Sequence, residues 1–193
     1  MKNVLVLIVL ILPFAGCHYP TGSPDQEKSI AEQAAISPIQ KAVVVSDTSF
    51  ENLSRLFSLK DAESILGEPV HLSDSSSGRR EAIFICKKAF IANRPDTISG
   101  KTGAVYFMIE HYNNLIEAKQ KYASIKKANR KHKGIKVLND VGDEAYFHSD
   151  GENFYFILVR KFNRVLTMKV NKITTYTSLD AFNAVARRIA AAL

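Results

Sequence analysis

Basic side chains at helical spacing are the chemically most suggestive feature of this 193-residue chain. Between Leu115 and Lys136, eight residues are Lys or Arg and only Glu117 is acidic. A spacing of seven, four and three residues predicts one helical stripe beside an apolar face, formed by Lys119, Lys126, Arg130 and Lys133. Such a stripe suits anionic headgroups or an acidic protein surface, at ~1 kcal/mol per well-placed charge. The alternative is a solubilising face whose charges favour the helix C-terminus.

Residue types that serve catalysis or metal binding are present, but without the spacing that those chemistries need. Cys86 lies in an apolar segment and is expected to be a small buried hydrophobe; an intermolecular disulfide or a reactive thiol is the alternative. The histidines form no HExxH pair, and no serine lies in a nucleophile elbow. A group of carboxylates near a predicted hairpin lacks calcium-loop spacing: Asp143, Glu144, Asp150 and Glu152. We therefore expect no catalytic residue, no metal and no cofactor.

Helix signals define the elements that would position these side chains. Ser58 and Gly67 are typical of the start and end of a short helix, and residues 48–57 predict an amphipathic turn or two before it. A second helix is expected from Asn114 to about His132. Thr177 is predicted to open a last helix, with a buried stripe of Phe182, Val185, Ala186, Ile189 and Leu193.

Apolar, β-rich segments between these helices predict an antiparallel sheet. The expected strands lie in residues 81–91, 103–112, 135–148 (one or two strands), 153–161 and 165–171. Asp150-Gly151 is a strong hairpin signal, and short turns between consecutive strands make them antiparallel. The predicted class is α+β, an antiparallel β-sheet with helices packed on it, in the order α-β-β-α-β-β-β-α.

The N-terminus carries an export signal. Residues 4–12 are continuously apolar, too short for a membrane span of ~20 residues but the right length for a signal-peptide core. Phe14-Ala15-Gly16-Cys17 then resembles a bacterial lipobox, with Phe14 where Leu is usual. The resemblance implies cleavage before Cys17 and attachment of diacylglycerol to its thiol. The alternative is an ordinary secretory signal followed by an incidental cysteine.

The chain divides into three predicted parts. Residues 1–16 are the lipoprotein signal peptide, residues 17–42 are a flexible tether rich in Pro, Ser and Gln, and residues 43–193 form a single α+β domain. The expected location is the cell envelope, with a lipid anchor on Cys17. His18 is not the Asp that favours inner-membrane retention, so the outer membrane is favoured if the organism is Gram-negative.

The segment Val141-Gly142-Asp143-Glu144-Ala145-Tyr146-Phe147 resembles the "GDEA-aromatic" motif of small exported bacterial domains. Those domains occur in families of uncharacterised lipoproteins and in the extracytoplasmic sensor domains of some actinobacterial membrane kinases. The resemblance implies ligand or partner binding without catalysis, and it transfers no site residue. Gly142 and Asp143 also fit a structural turn.

Three functions follow as hypotheses. The first is a membrane-tethered, non-catalytic module that binds an envelope protein or a small ligand in a groove or apolar patch. The second is a structural envelope protein whose basic helix contacts anionic lipid or glycan, in keeping with the net charge of +7. The third is an unrecognised hydrolase. Nucleic acid is not an expected partner of an exported protein, and the sequence leaves the oligomeric state open.

Overall fold

Helices and strands alternate in blocks along residues 48–193, the part of the chain that the computed structural model describes. The elements are α1 (Thr48–Arg55), α2 (Leu59–Leu66), β1 (Val70–Arg80), β2 (Ile83–Ala92), β3 (Ala104–His111), α3 (Leu115–Asn129), β4 (Ile135–Leu138), β5 (Glu144–Ser149), β6 (Phe154–Lys161), β7 (Arg164–Asn171) and α4 (Leu179–Ala192). The predicted signal peptide, Cys17 and the tether over residues 17–42 lie outside the described residues. None of the helices in residues 48–193 combines the length and apolarity needed to cross a bilayer.

The seven strands of this region form one sheet in the order β1-β2-β3-β7-β6-β5-β4. Every neighbouring pair is antiparallel. The α+β class with an antiparallel sheet is therefore confirmed. The predicted order differs from the observed one, α-α-β-β-β-α-β-β-β-β-α, because β1 was not expected and because α1, predicted only as a turn or two, is a separate helix. Residues 135–149, for which one or two strands were expected, contain two, β4 and β5.

The unexpected strand, β1, lacks the sequence pattern that is typical of a strand. Only Val70 is buried, and the other ten residues are exposed on both faces of the strand. Polar side chains at consecutive positions give no alternation of period two, which is the usual sequence signal of a strand. The strand forms because its backbone pairs with β2 from Val70↔Ala92 to Arg80↔Ile83.

The helix starts follow the capping signals closely. Ser58 and Asp61 form a reciprocal capping box on α2, and Gly67 ends the helix in the left-handed conformation, φ 71°. The predicted start of α4 is off by one residue. Ser178, not Thr177, accepts the capping hydrogen bond from Ala181 N–H, while Thr177 Oγ1 accepts one from Thr174 N–H.

Helices α1, α2 and α4 cover one face of the sheet, which we call the covered face. The predicted apolar stripe of α4 is buried as expected, with Phe182, Ala186 and Ile189 fully inaccessible. These side chains pack with the inner residues of α2 and of the central strands in one large cluster. Of the helices in residues 48–193, only α3 lies on the opposite face, where its Ala118 and Tyr122 pack on Tyr146, Leu158 and Val165 in a smaller cluster.

Candidate functional site

The basic residues predicted to form a stripe lie at and beyond the end of α3. Lys119 and Lys126 are exposed on the helix, and Arg130 is its C-cap. Lys133 is not on the stripe, which corrects the prediction: α3 ends at Asn129 rather than near His132, and Lys133 belongs to the turn before β4. The three remaining side chains share one flank of the helix, since 100° per residue places them within about 40° of one another.

The segment with the GDEA-aromatic pattern makes a structural clasp around Arg160. The Arg160 side chain is 5% exposed; its Nη1 donates to Asp143 Oδ2 at 2.7 Å and its Nε donates to Glu144 Oε2 at 2.5 Å. Asp143 Oδ2 also accepts from Phe162 N–H at 2.8 Å. Burial raises the pKa of Asp143, but the Phe162 N–H and Arg160 outweigh it and hold that pKa below its usual value. This motif therefore tethers the β6–β7 turn to the start of β5.

The other candidates for chemistry also have structural partners. Cys86 is 1% exposed in the covered-face core, and burial raises the pKa of its thiol. Asp150 accepts hydrogen bonds from the N–H groups of Glu152 and Asn153, which hold its pKa below its usual value. Within residues 48–193, no three His, Cys, Asp or Glu side chains are grouped as a metal site would need.

A row of side chains crosses the part of the sheet that α3 leaves open. Directly paired residues of antiparallel strands project to the same face. The pairs Tyr106↔Lys169, Phe156↔Lys169 and His148↔Phe156 therefore put side chains from β3, β7, β6 and β5 in one line. Lys169 stands in this line between two aromatic neighbours, with Tyr106 42% exposed.

Two adjoining cavities follow this row and together form what we call the sheet groove. The first has a volume of about 350 Å³ and a mainly apolar wall, in which Ala89, Tyr106, Met108 and Phe156 lie beside Thr167 and Lys169. The second has a volume of about 320 Å³ and is lined by Asn129, His132, His148, Phe154, Phe156 and Lys169. Phe156 and Lys169 line both cavities, so the groove has an apolar arm and a polar arm that meet at a lysine. Volumes of this size are typical of small-molecule sites.

Two polar groups of the groove are conspicuous. Lys169 Nζ lies 5.9 Å from the centroid of the Phe154 ring and has no carboxylate partner among the described residues. Thr167 Oγ1 is buried and makes no hydrogen bond with any described residue. Buried polar atoms in folded proteins normally have a partner, so this hydroxyl is an exception in the wall of the groove.

The two histidines of the polar arm lie close to each other, with their rings tilted by 31°, and Phe154 meets His148 edge-on. His148 is 8% exposed; its ring centroid lies 5.5 Å from that of His132 and 4.9 Å from that of Phe154. Burial, and then the neighbouring His132, lower the pKa of His148, while a hydrogen bond to the Lys133 backbone and then the charge of Asp150 act in the opposite direction. A neutral imidazole has one ring N–H and one acceptor nitrogen.

A different hollow, of about 540 Å³, lies on the same face beside the N-terminal half of α3. It contains Glu110, which is 5% exposed and has Lys121 Nζ 3.3 Å from its Oε1. Burial and the charge of Glu110 raise the pKa of Tyr112 in the same hollow. The lysine compensates the buried carboxylate, so this hollow has a structural ion pair where the groove has an unpaired cation.

Sequence reasoning did not identify the residues of the groove. Tyr106, Phe156 and Lys169 lie in three separate strands and share no motif. The one available signal was Lys169 inside the otherwise apolar segment 165–171, since a lysine in a central strand must reach solvent on one face. Which residues it meets there depends on the strand register.

Comparisons with known proteins are sparse. No family model matches the chain, and no curated protein matches it. Among solved structures, the chain is similar to the extracellular domain of PknH from Mycobacterium tuberculosis. That domain is 9% identical, and the match covers 74% of this chain and 95% of that chain with a TM-score of 0.46. A likeness of that degree does not extend to function.

Proposed function

We propose that this protein is a lipid-anchored, exported binding module, non-catalytic, that takes its ligand in the sheet groove. The single observation that supports this role is the groove itself, where a partly exposed aromatic residue and a lysine without a carboxylate partner in residues 48–193 share one open face. The covered face of the same sheet is filled by three helices. Because α3 covers only part of the opposite face, that face has room for a second molecule.

The test of the groove is site-specific photocrosslinking in the organism's own cells. The photoreactive residue replaces Tyr106 in the full-length chain, and a matched chain carries it at Tyr176, which is 49% exposed in the β7–α4 loop. The proposal expects one discrete adduct, small-molecule or protein, from position 106 alone. Equal labelling from both positions, or no adduct from either, would contradict it.

The anchor is proposed from Cys17 and the apolar run before it, outside the described residues. Several acyl chains hold a protein on a membrane firmly, whereas one chain binds only marginally. Replacing Cys17 by Ser is expected to abolish incorporation of an alkyne-tagged fatty acid and to release the protein from the membrane fraction. Cys86→Ser is the matched control and should leave both unchanged. Lipid labelling that persists in Cys17→Ser would contradict the anchor.

A second candidate function rests on the exposed surface of α3. Of the basic residues on this helix, only Lys121 has an ion-pair partner within residues 48–193. Lys119, Lys126 and Arg130 therefore present uncompensated charge, which suits anionic lipid or glycan at ~1 kcal/mol per charge.

Changing these three residues to Gln tests the second candidate in the chain without residues 1–17. The expected result is weaker binding to vesicles containing phosphatidylglycerol, and a shallower dependence of that binding on salt. The matched control, Lys60→Gln with Lys101→Gln and Lys172→Gln, removes equal charge elsewhere. An equal loss of vesicle binding in both variants would show that binding depends on the net charge of the protein and not on this surface of α3.

A further inference from the structure

We infer that the ligand of the sheet groove is a single-chain amphipathic anion, such as a medium-chain carboxylic acid, with its charged end at Lys169 and its apolar body along the arm formed by Tyr106 and Met108. This inference rests on the proposed function and names the chemical class of the ligand. Each part of such a molecule has a counterpart in the groove.

The charged end is assigned by Lys169, because the other two lysines of the first cavity are already engaged. Lys87 Nζ is 3.1 Å from Asp74 Oδ2, so this pair carries no net charge. Lys88 Nζ donates to Phe57 O at 2.9 Å, and Phe57 belongs to the core of the covered face. Lys169 is half-buried and has no carboxylate partner in the described part of the chain. A charge-assisted hydrogen bond to an ammonium group in such a place is stronger than one in open water.

The polar arm supplies further groups for an anionic end. Asn129, His132 and His148 line it together with Lys169. Asn129 Nδ2 already donates to Ile125 O at 3.1 Å and to Tyr146 Oη at 2.9 Å, which fixes this amide at the end of α3 and leaves no N–H of its side chain for an anion. The carbonyl end of α3 disfavours an anion, and the exposed cations Lys127, Arg130 and Lys131 offset it.

The apolar body is assigned by the wall of the other arm. Ala89, Tyr106 and Met108 lie side by side on β2 and β3, and Phe156 lies on β6, on the far side of Lys169 and Thr167 of β7. Methionine and aromatic side chains adapt to a flexible hydrocarbon chain, and removing the methylene groups that they cover from water is favourable. Thr167 lies in the same wall, with its Oγ1 buried.

Calorimetric titration of the chain without residues 1–17 tests the class of ligand. The probes are decanoate, decylammonium and 1-decanol, which share one hydrocarbon chain and differ in charge. We expect decanoate to bind at least tenfold more tightly than decylammonium, with decanol between them. Equal affinities for all three would overturn the anion assignment and leave an apolar groove. Absence of binding by all three would overturn the amphipathic class, while the crosslinking experiment still decides whether the groove is a binding site.

Variants assign each end of the probe. Lys169→Gln should remove the preference for decanoate, and Lys169→Arg should keep it; Lys119→Gln, on α3, should change nothing. Tyr106→Ser should weaken all three probes alike, whereas Tyr176→Ser should not. Circular dichroism and the unfolding midpoint establish that each variant is folded. A preference for decanoate that survives Lys169→Gln in a folded protein would contradict the inference.

Discussion

The two faces of the sheet differ in how many helices cover them, and this difference decides where a ligand can bind. On the covered face, the apolar stripes of α2 and α4 meet side chains from every central strand, and most of the largest fully buried side chains lie there. On the other face, α3 buries only Ala118 and Tyr122 fully. The groove is therefore the part of this face that α3, a mainly polar helix, leaves uncovered.

The largest expected effect is the loss of packing on the covered face. Phe182 is inaccessible to solvent, with ring centroids 5.8 Å from Tyr155 and 6.4 Å from Phe147. Phe182→Ala should lower the free energy of unfolding by about 3–5 kcal/mol, whereas Tyr106→Ser in the groove should change it by no more than about 0.5 kcal/mol. Urea denaturation measures both, and similar losses would remove the contrast between the faces.

The backbone offers a second, smaller contrast. Gly142 has φ 63°, and a Cβ there would lie 2.6 Å from Val159 Cγ1 and 2.7 Å from Arg160 O. Gly142→Ala should therefore lower the free energy of unfolding by roughly 1–3 kcal/mol. In Gly78→Ala, on β1, the new Cβ meets nothing within 4 Å, so this change should stabilise the strand by roughly 0.5–1 kcal/mol. A Gly142→Ala protein as stable as the parent would contradict the close approach.

The smallest effect concerns pH and the polar arm of the groove. The pKa of His148 is lowered from 6.5, chiefly by burial, so the unfolded chain takes up a proton at this residue more readily than the folded protein does. The contribution of His148 to stability is then complete above pH 6.5 and declines as the pH falls through 6.5 towards the lowered pKa of the folded state. His148→Gln should reduce this decline without removing it, because burial also lowers the pKa of His111 at the end of β3. Denaturation midpoints across this range measure the slope, and an unchanged slope would contradict a neutral His148.

Local sequence signals predicted the helices well. The capping box of Ser58 and Asp61, the left-handed Gly67 and the buried stripe of α4 depend on residues within one or two turns of each other. The end of α3 was placed too late because Arg130, Lys131 and His132 all tolerate helix. Helix α3 ends at Asn129 because Gly134, φ 83°, passes close to Ser149. Residues 130–133 must therefore form the turn that leads into β4.

Long-range pairing was the part that local signals could not predict. Strand β1 has no apolar alternation and exists through its hydrogen bonds to β2. The groove depends on the same information, because Tyr106, Phe156 and Lys169 meet only in one register, and a shift of one residue would send each of them to the opposite face.

The sequence by itself determined the α+β class, the helix starts, the burial of Cys86 and the apolar face of α4, because each depends on composition and on neighbours along the chain. Only the tertiary structure decided that Arg160 closes on Asp143 and Glu144, that Lys133 leaves the basic stripe, and that Lys169 stands unpaired between two aromatic residues. The physical reason is that side chains distant in sequence become neighbours through strand order and register, which the whole sheet fixes at once.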